Sequence, residues 1–135
     1  MKRFTLKATA AFLAAVSVFA VSACGKTYTV KSEDDVMDFL ADCGISTAGE
    51  CSRKTVTIPD EFGEVYERYN DLQKQQGFDL SGYRSREAEV YTVSVVSVNG
   101  EHTDFTEAHV MVCDDRVIGG DLSSPYLDGG MSPIL

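Results

Sequence analysis

The stretch "EAEVYTVSVVSVNGEHTDFTEAHVMVCDDRVIGGD", residues 87–121, decides the fold, because its apolar side chains recur at every second residue. Three runs rich in β-branched residues show this alternation, which is typical of strands. Turn signals at Asn99–Gly100 and at Asp114–Asp115 separate the runs. The alternation slips at Val95–Val96, which indicates either a bulge or a strand buried on both faces. We therefore predict an antiparallel meander of consecutive strands with short links.

Two amphipathic helices and one short strand are predicted upstream of the meander. One helix lies near residues 33–43, with Ser32 as its cap and Gly44 at its end. The other lies near residues 60–76, and its apolar stripe is expected to cover the sheet, because an apolar sheet face must be buried. The short strand is Lys54–Ile58. The stripe of the second helix consists of Phe62, Val65, Tyr66, Tyr69 and Leu72.

The N-terminus has the pattern of an export signal. Its first seven residues carry three basic side chains and no acid, and residues 8–25 carry no charge. Val21-Ser22-Ala23-Cys24 resembles the lipobox of bacterial lipoproteins, in which small residues enter a membrane protease and the Cys thiol takes the lipid. We therefore predict a lipoprotein signal peptide over residues 1–23 and lipidation of Cys24. A transmembrane anchor is the alternative, because the uncharged run is at the lower edge of a membrane span.

The predicted fold class is α+β, with a single small domain over residues 32–131. A lipidated tether precedes it over residues 24–31, and a C-terminal tail follows it over residues 132–135. Within the domain, a three- or four-stranded antiparallel β-meander packs on the helix near residues 60–76, and the N-terminal helix is added to that pair. The 112 residues that remain after removal of the leader suit one domain with one core.

The negative charge of the predicted mature chain limits the classes of partner that it could bind. Removal of residues 1–23 takes three basic residues and no acid, which leaves 9 Lys and Arg against 21 Asp and Glu and a net charge of −12. This charge argues against nucleic acid and against an anionic membrane surface as partners. We expect an extracytoplasmic protein, anchored to the cell membrane, whose partner is an envelope protein or a cell-wall component.

Three cysteines remain when Cys24 carries a lipid. Export places the domain where disulfides persist, and we predict that Cys43 and Cys51 pair because they are close in sequence. A loop of that length would add about 2.5 kcal/mol by restricting the unfolded chain. Cys113 is then a lone thiol. No zinc site is predicted, because neither a C-x-x-C pair nor clustered histidines accompany the cysteines.

The end of the meander carries candidate reactive side chains. His109 and Cys113 share one face of a predicted strand, but about 13 Å separates them, whereas a Cys–His dyad needs contact. Gly119–Gly120 lacks the strand–turn–helix context of a phosphate loop. It allows the close approach of another group, or else forms a functional edge with Asp121 and Ser123. No metal site, cofactor or coherent catalytic set is predicted.

Several motifs of this chain occur together in "TIPDEFGEVYERYNDLQKQQGFDLSGY", residues 57–83, and "VIGGDLSSPYLDGGM", residues 117–131. They are Ile58-Pro59, Tyr69-Asn70 with Gln73, Gly77 with Asp79-Leu80, and Ile118 to Asp121. As a set, they resemble a family of small exported lipoproteins of Gram-positive gut bacteria that carries domain of unknown function 4830. The resemblance covers about residues 34–131. It implies an exported single-domain lipoprotein and implies no activity.

The resemblance draws attention to a polar group on the second helix. Tyr69, Asn70 and Gln73 lie within one helical turn. They either bind the loop of residues 77–83 or contribute to a recognition surface. That candidate binding surface consists of Tyr69, Asn70, Gln73, Asp79, Gly119, Gly120, Asp121 and Ser123.

Three hypotheses for the function remain open. The first is a non-catalytic binding or interaction module of the cell envelope. The second is a small envelope hydrolase that uses Asp121 and Ser123, or a thiol enzyme that uses Cys113. The third is an accessory lipoprotein without a site of its own.

Overall fold

The computed structural model describes residues 27–125 and 130–135. In chain order, its elements are α1 (Glu33–Asp42), β1 (Ile45–Thr57), α2 (Glu64–Gln75), a short 3-10 helix (Leu80–Tyr83), β2 (Glu87–Val98), β3 (Glu107–Cys113), β4 (Arg116–Ser123) and β5 (Met131–Ser132). The strands form one antiparallel sheet in the order β1-β2-β3-β4-β5. The α+β class and the meander are confirmed, and the predicted three or four strands are corrected to five. The predicted leader and the lipidation site at Cys24 lie outside the described residues.

β1 is much longer than the strand predicted at Lys54–Ile58. It pairs with β2 at both of its ends, over residues 45–48 and 52–57, with register shifts at Ser46/Thr47 and at Ala48/Ser52. The first half of β1 contains Gly, Ser and Ala, which are weak strand formers. Pairing with a long neighbouring strand therefore overrides the local preference of this segment.

The slip in the alternation of β2 is a bulge, one of the two structures that it predicts. Ser46 opposes Ser97 and Thr47 opposes Val95, so Val96 has no partner on β1. Its side chain is 57% exposed. The bulge thus turns an apolar residue outward and restores the register on either side of it.

Both faces of the sheet are buried, and each carries one helix. On one face, alternate residues of β3 contact the apolar side of α1. This core cluster includes Val36, Phe39, Leu40, Ala108, Val110 and Val112. On the other face, Met111 and Cys113 of β3 pack with Ile58 and Leu80 next to α2. The two helices therefore lie on opposite sides of the sheet.

α1 begins and ends as its sequence predicts. The Ser32 hydroxyl accepts a hydrogen bond from the amide of Asp35 at 3.3 Å, and the first turn is acidic, which suits the positive end of the helix dipole. Gly44 ends the helix with a φ of +84°. A Cβ at this position would lie 2.2 Å from Oδ1 of Asn99, so glycine is required there on both grounds.

α2 differs from its prediction in extent and in orientation. It begins at Glu64, and its buried residues are Asn70 and Gln73. The predicted apolar stripe belongs to the core only in part, because Tyr66 and Tyr69 pack against the cluster of Ile58 and Leu80, whereas Val65 is 79% exposed. The helix lies against the outer edge of β4, where backbone groups need partners, and polar side chains suit that contact better than apolar ones.

The packed part of the chain extends beyond both predicted boundaries. Val30 is 1% exposed, although it falls in the predicted tether. The ring of Tyr28 packs against that of Phe39 with centroids 4.9 Å apart. At the other end, Ile134 of the predicted tail is 8% exposed and belongs to the core cluster on the α1 side of the sheet. The domain therefore reaches at least from Tyr28 to Ile134.

The predicted Cys43–Cys51 disulfide is absent, because both thiols are free. Cys43 caps the C-terminal end of α1. β1 then leads the chain back, and Cys51 lies beside Glu33 and Met37 in the N-terminal half of that helix. Two to three helical turns separate these positions, about 10–15 Å, whereas a disulfide needs Cα atoms within about 7 Å. Nearness in sequence therefore does not bring the two thiols together.

We expect the three thiols to react at two very different rates. Cys43 and Cys51 are half-buried and so remain accessible to reagent, although burial raises the pKa of both thiols, so they should react faster as the pH rises. Cys113 is 5% exposed and should react only as fast as the protein opens. Timed alkylation of the native protein followed by peptide mass mapping measures all three rates. Recovery of a Cys43–Cys51 linked peptide would contradict this expectation.

Candidate functional site

α2 is joined to β4 by two glutamine side chains. The amide N–H of Gly120 donates to Oε1 of Gln73 at 2.8 Å, and its carbonyl accepts from Nε2 of Gln76 at 2.9 Å. Oε1 of Gln76 also accepts from the amide of Ile134 at 2.8 Å. β5 pairs only with the last two residues of β4. The two side-chain amides thus supply, at Gly120 of β4, the hydrogen bonds that a longer β5 would have made.

The glycine pair of β4 gives these amides room. A Cβ on Gly119 would lie 2.9 Å from Oε1 of Gln73. A Cβ on Gly120 would lie 2.7 Å from the backbone oxygen of His109 and 2.7 Å from a methyl group of Ile134. The space beside the glycines is therefore filled by the protein's own groups.

The orientation of the Gln73 amide follows from its neighbours. Oε1 accepts from the amide of Gly120 and, at 3.2 Å, from Nε2 of Gln76. Nε2 of Gln73 is buried and has no hydrogen-bond partner among the described residues. If the Gln73 amide were flipped, its NH₂ group would face the two donors that Oε1 now accepts from. The observed orientation, which leaves only Nε2 without a partner, is therefore the better one.

Asn70 fixes the loop that follows α2. Its Oδ1 accepts from the amide of Leu80 at 2.7 Å, and its Nδ2 donates to Oδ1 of Asp79 at 3.0 Å. Asp79 in turn caps the 3-10 helix by accepting from the amide and hydroxyl of Ser81. These hydrogen bonds, with that of Asn70 foremost, lower the pKa of Asp79 to about 2. Asn70 and Asp79 thus bind the loop, which is one of the two roles predicted for this group.

A buried carboxylate lies between α2 and β3. Oδ2 of Asp121 accepts from the hydroxyl of Tyr69 at 2.9 Å, and Oδ1 lies 2.9 Å from Nδ1 of His109. His109 and Asp121 are direct partners across β3 and β4. Asp121 is 2% exposed, and the His109 side chain is 25% exposed. Nε2 of His109 faces Glu107 at 3.6 Å.

These contacts shift the pKa values of the two outer groups. The hydrogen bond to Asp121 raises the pKa of His109, and the nearby Glu107 carboxylate acts in the same direction. Burial and the Lys54 charge oppose that rise. Burial and the Asp121 charge hold the pKa of Tyr69 well above its usual range, so the phenol stays a proton donor. The cluster is therefore an ordered chain from Tyr69 through Asp121 to His109.

An open groove runs beside this chain along the outer side of α2. It has a volume of about 540 Å³. Apolar side chains dominate its lining, and two of them, Val65 and Met131, are 79% and 51% exposed. The lining residues are Val65, Tyr66, Arg68, Tyr69, Leu72 and Met131. Tyr69 belongs both to the groove and to the chain of hydrogen bonds behind it.

The structure brings most of the predicted surface residues together, but in the interior. Five of the eight are buried, namely Asn70, Gln73, Gly119, Gly120 and Asp121. Tyr69 and Ser123 are half-buried, and Asp79 is exposed on the loop. Among these eight, only Tyr69 also lines the groove.

Sequence reasoning missed His109 as the partner of Asp121 and Gln76 as the partner of Gly120. Gln76 follows Gln73 at helical spacing, so the pair could have been noticed. The groove was missed because the stripe of α2 was assigned to the core. Met131, which forms part of its wall, gave no signal in sequence.

The predicted reactive groups lie apart from one another. Cys113 is buried, and its thiol donates to the carbonyl of Glu87 at 3.5 Å. His109 points its Nδ1 at Asp121 instead. Within residues 27–125 and 130–135, no three His, Cys, Asp or Glu side chains are placed to hold a metal ion.

We expect His109 to stabilise the protein most at acidic pH. Because its pKa is raised on folding, its stabilisation is complete below the unfolded value of about 6.5 and is lost as the pH rises through the higher folded value. Urea unfolding between about pH 5 and pH 9 should show the largest deficit of His109→Gln at the acidic end. His102→Gln is the control, because that side chain is 89% exposed. A deficit that grows with pH would reverse the assigned sign.

Comparison with known proteins places the chain in a family. No curated protein and no solved structure matches it. No helix among the described residues is long and apolar enough to cross a membrane. The model of a family described as Domain of unknown function (DUF4830) matches residues 39–122, from the middle of α1 to the end of β4. That match spans more than half of the sequence, and the chain belongs to this family.

Proposed function

We propose that the protein is an extracytoplasmic lipoprotein, anchored to the cell membrane through Cys24, whose domain is a non-catalytic binding module. Its partner is another protein of the cell envelope. The anchor rests on the N-terminal sequence, in which a basic start, an uncharged run and Val21-Ser22-Ala23-Cys24 follow one another. The binding role rests on the groove beside α2.

The apolar groove wall formed by α2 is the observation that carries the binding role. Val65, Tyr66, Tyr69 and Leu72 recur at helical spacing and line the groove, and Val65 is 79% exposed. Tyr66 and Tyr69 also pack against the core cluster that contains Ile58 and Leu80, and the hydrogen bonds of Asn70 and Gln73 fix the helix in place. Apolar residues that the fold leaves exposed or half-buried, clustered around one groove, are typical of an interaction site.

The chemistry of the surroundings favours an apolar segment with basic flanks as the occupant. Glu61, Glu64, Glu67 and Asp71 are exposed on or beside α2. Arg68, the one charged residue among the described residues of the lining, is paired with Glu64 at 2.7 Å. The predicted mature chain has a net charge of −12, so basic side chains beside an apolar anchor would be attracted to this face.

The geometry supports the alternative of a hydrolase or thiol enzyme less well. Asp121 is buried and already bonded to Tyr69 and His109, so its carboxylate is not placed for attack on a substrate. Nε2 of His109 faces the carboxylate of Glu107, and not a hydroxyl or thiol that it could activate. Cys113 is buried away from the groove.

We expect Val65→Glu to weaken partner binding without unfolding the protein. Burial of an apolar side chain of this size is worth about 1.5–3 kcal/mol, so its loss should weaken binding by about tenfold or more. Gln75→Glu adds the same charge to an exposed position of the same helix outside the groove lining and is the matched control.

The measurement is capture from detergent-solubilised envelope with the full lipidated chain, followed by titration of each captured protein. A partner retained by the control and lost by Val65→Glu supports the groove. Binding that weakens with salt supports basic flanks. Equal capture by both variants would remove the groove from the proposal.

We expect fatty-acid labelling to depend on Cys24. In a bacterial host, the wild-type chain should incorporate the label and begin at Cys24, whereas Cys24→Ala should incorporate none and keep residues 1–23. Cys43→Ala is the control and should be labelled as the wild type. A wild-type protein that keeps its leader unlabelled would favour the transmembrane anchor instead.

A further inference from the structure

We infer that the end of the domain at Thr27 and Arg116 faces the lipid headgroups, and that the groove beside α2 lies at the opposite end and opens away from the membrane. This inference rests on the proposed anchor at Cys24.

The N-terminal segment is bound to the start of β4. The amide of Val30 donates to the carbonyl of Asp115 at 2.8 Å, and the amide of Val117 donates to the carbonyl of Tyr28 at 2.9 Å. Thr29 and Arg116 form an antiparallel bridge between these two bonds. The chain is therefore fixed to the body of the domain almost from its first described residue, Thr27.

Little chain separates this fixed point from the lipid. Three residues lead from Thr27 back to Cys24, and fully extended they span about 10 Å. A diacylglyceryl group holds its cysteine at the membrane interface, and each headgroup layer is roughly 5–7 Å thick. The surface around Thr27 is therefore held at or within the headgroup layer and cannot rise far above it.

β4 sets the distance from this end to the groove. The strand has eight residues from Arg116 to Ser123, which correspond to about 23 Å along its axis. Ser123 pairs with Met131, which lines the groove. α2 runs beside the same strand, with Tyr69 bonded to Asp121 near its far end. The Met131 end of the groove is therefore separated from the anchored end by most of the length of β4.

Charge opposes the tilt that would lay the groove on the membrane. Glu61, Glu64, Glu67 and Asp71 are exposed on or beside α2, the helix that lines the groove, and anionic lipid would repel them. At the anchored end, Arg86 is paired with Asp114, and Arg116 faces the negative charges of Asp79 and Asp115.

The anchored end also carries side chains that suit an interface. Phe78 and Tyr83 are half-buried there, and together with Thr27 and Arg116 they line a shallow cavity of about 210 Å³. The amphipathic ring of tyrosine favours the headgroup region of a bilayer, so Tyr83 suits that position. Both the chain path and the surface chemistry therefore point to the same membrane-facing end.

Energy transfer to a labelled membrane surface tests this orientation. In the full lipidated chain, Cys43→Ser and Cys51→Ser remove the two accessible thiols. A single donor dye is then attached through Lys31→Cys, near the anchored end, or through Glu67→Cys, on the helix that lines the groove. Both positions are exposed, and the remaining Cys113 is buried. The vesicles contain phosphatidylethanolamine, phosphatidylglycerol and a headgroup-labelled acceptor lipid.

We expect transfer from position 31 to be several-fold more efficient than transfer from position 67. Insertion of about 20 Gly and Ser residues between Lys26 and Thr27, a flexible span of roughly 25 Å, should remove most of that difference. Equal transfer from both positions on the native tether, or more from position 67, overturns the orientation while the anchor stands. Failure of the lipidated chain to stay on vesicles overturns the proposed anchor, and the orientation with it.

Discussion

The arrangement of the molecule depends on how the outer edge of β4 is hydrogen-bonded. β5 covers only two residues of that edge, and the peptide groups of Gly120 would otherwise be buried without partners. An unpaired buried group of this kind costs about 1–3 kcal/mol. Gln73 and Gln76 supply the missing acceptor and donor, and Gln73 can approach because Gly119 has no side chain. The position of α2 along the sheet and its rotation about its own axis follow from these bonds.

That rotation explains why one residue of the apolar stripe of α2, Val65, is left exposed to solvent. With Gln73 turned toward β4, Asn70 reaches the loop before Leu80 and the Tyr69 hydroxyl reaches Asp121. Val65, on the remaining side, faces the groove. The hydrogen bonds that hold the helix and the surface that it exposes are therefore two results of one constraint. A change that weakens the polar contact also moves the groove wall, since Tyr69 belongs to both.

The success of the sequence predictions follows how local each signal is. The meander and α1 were predictable because strand alternation, turn residues and the Ser32 cap act within a few positions. The Cys43–Cys51 pair failed because spacing does not give direction, and β1 carries Cys51 back along α1. The contact between His109 and Asp121 was beyond local reasoning. Regular pairing from the Asp114–Asp115 turn would set His109 opposite Gly120, and the register shift after Met111 moves the pairing by one residue. The predicted site residues were largely the right neighbours, assigned to the surface although they form the interior.

β4 connects the two ends of the molecule on which the proposed function depends. Its first residues hold the N-terminal segment through Val30 and Val117, and its later residues hold α2 through Gly120 and Asp121. Because hydrogen-bonded strands in a sheet do not slide freely past their neighbours, the separation of these two attachments is constant. In the proposed orientation, the height of the groove above the lipid is thus determined by the length of one strand and not by a flexible tether. A partner would then meet the groove at a nearly constant distance from the membrane, which suits recognition of a segment that is itself held at a defined height in the envelope.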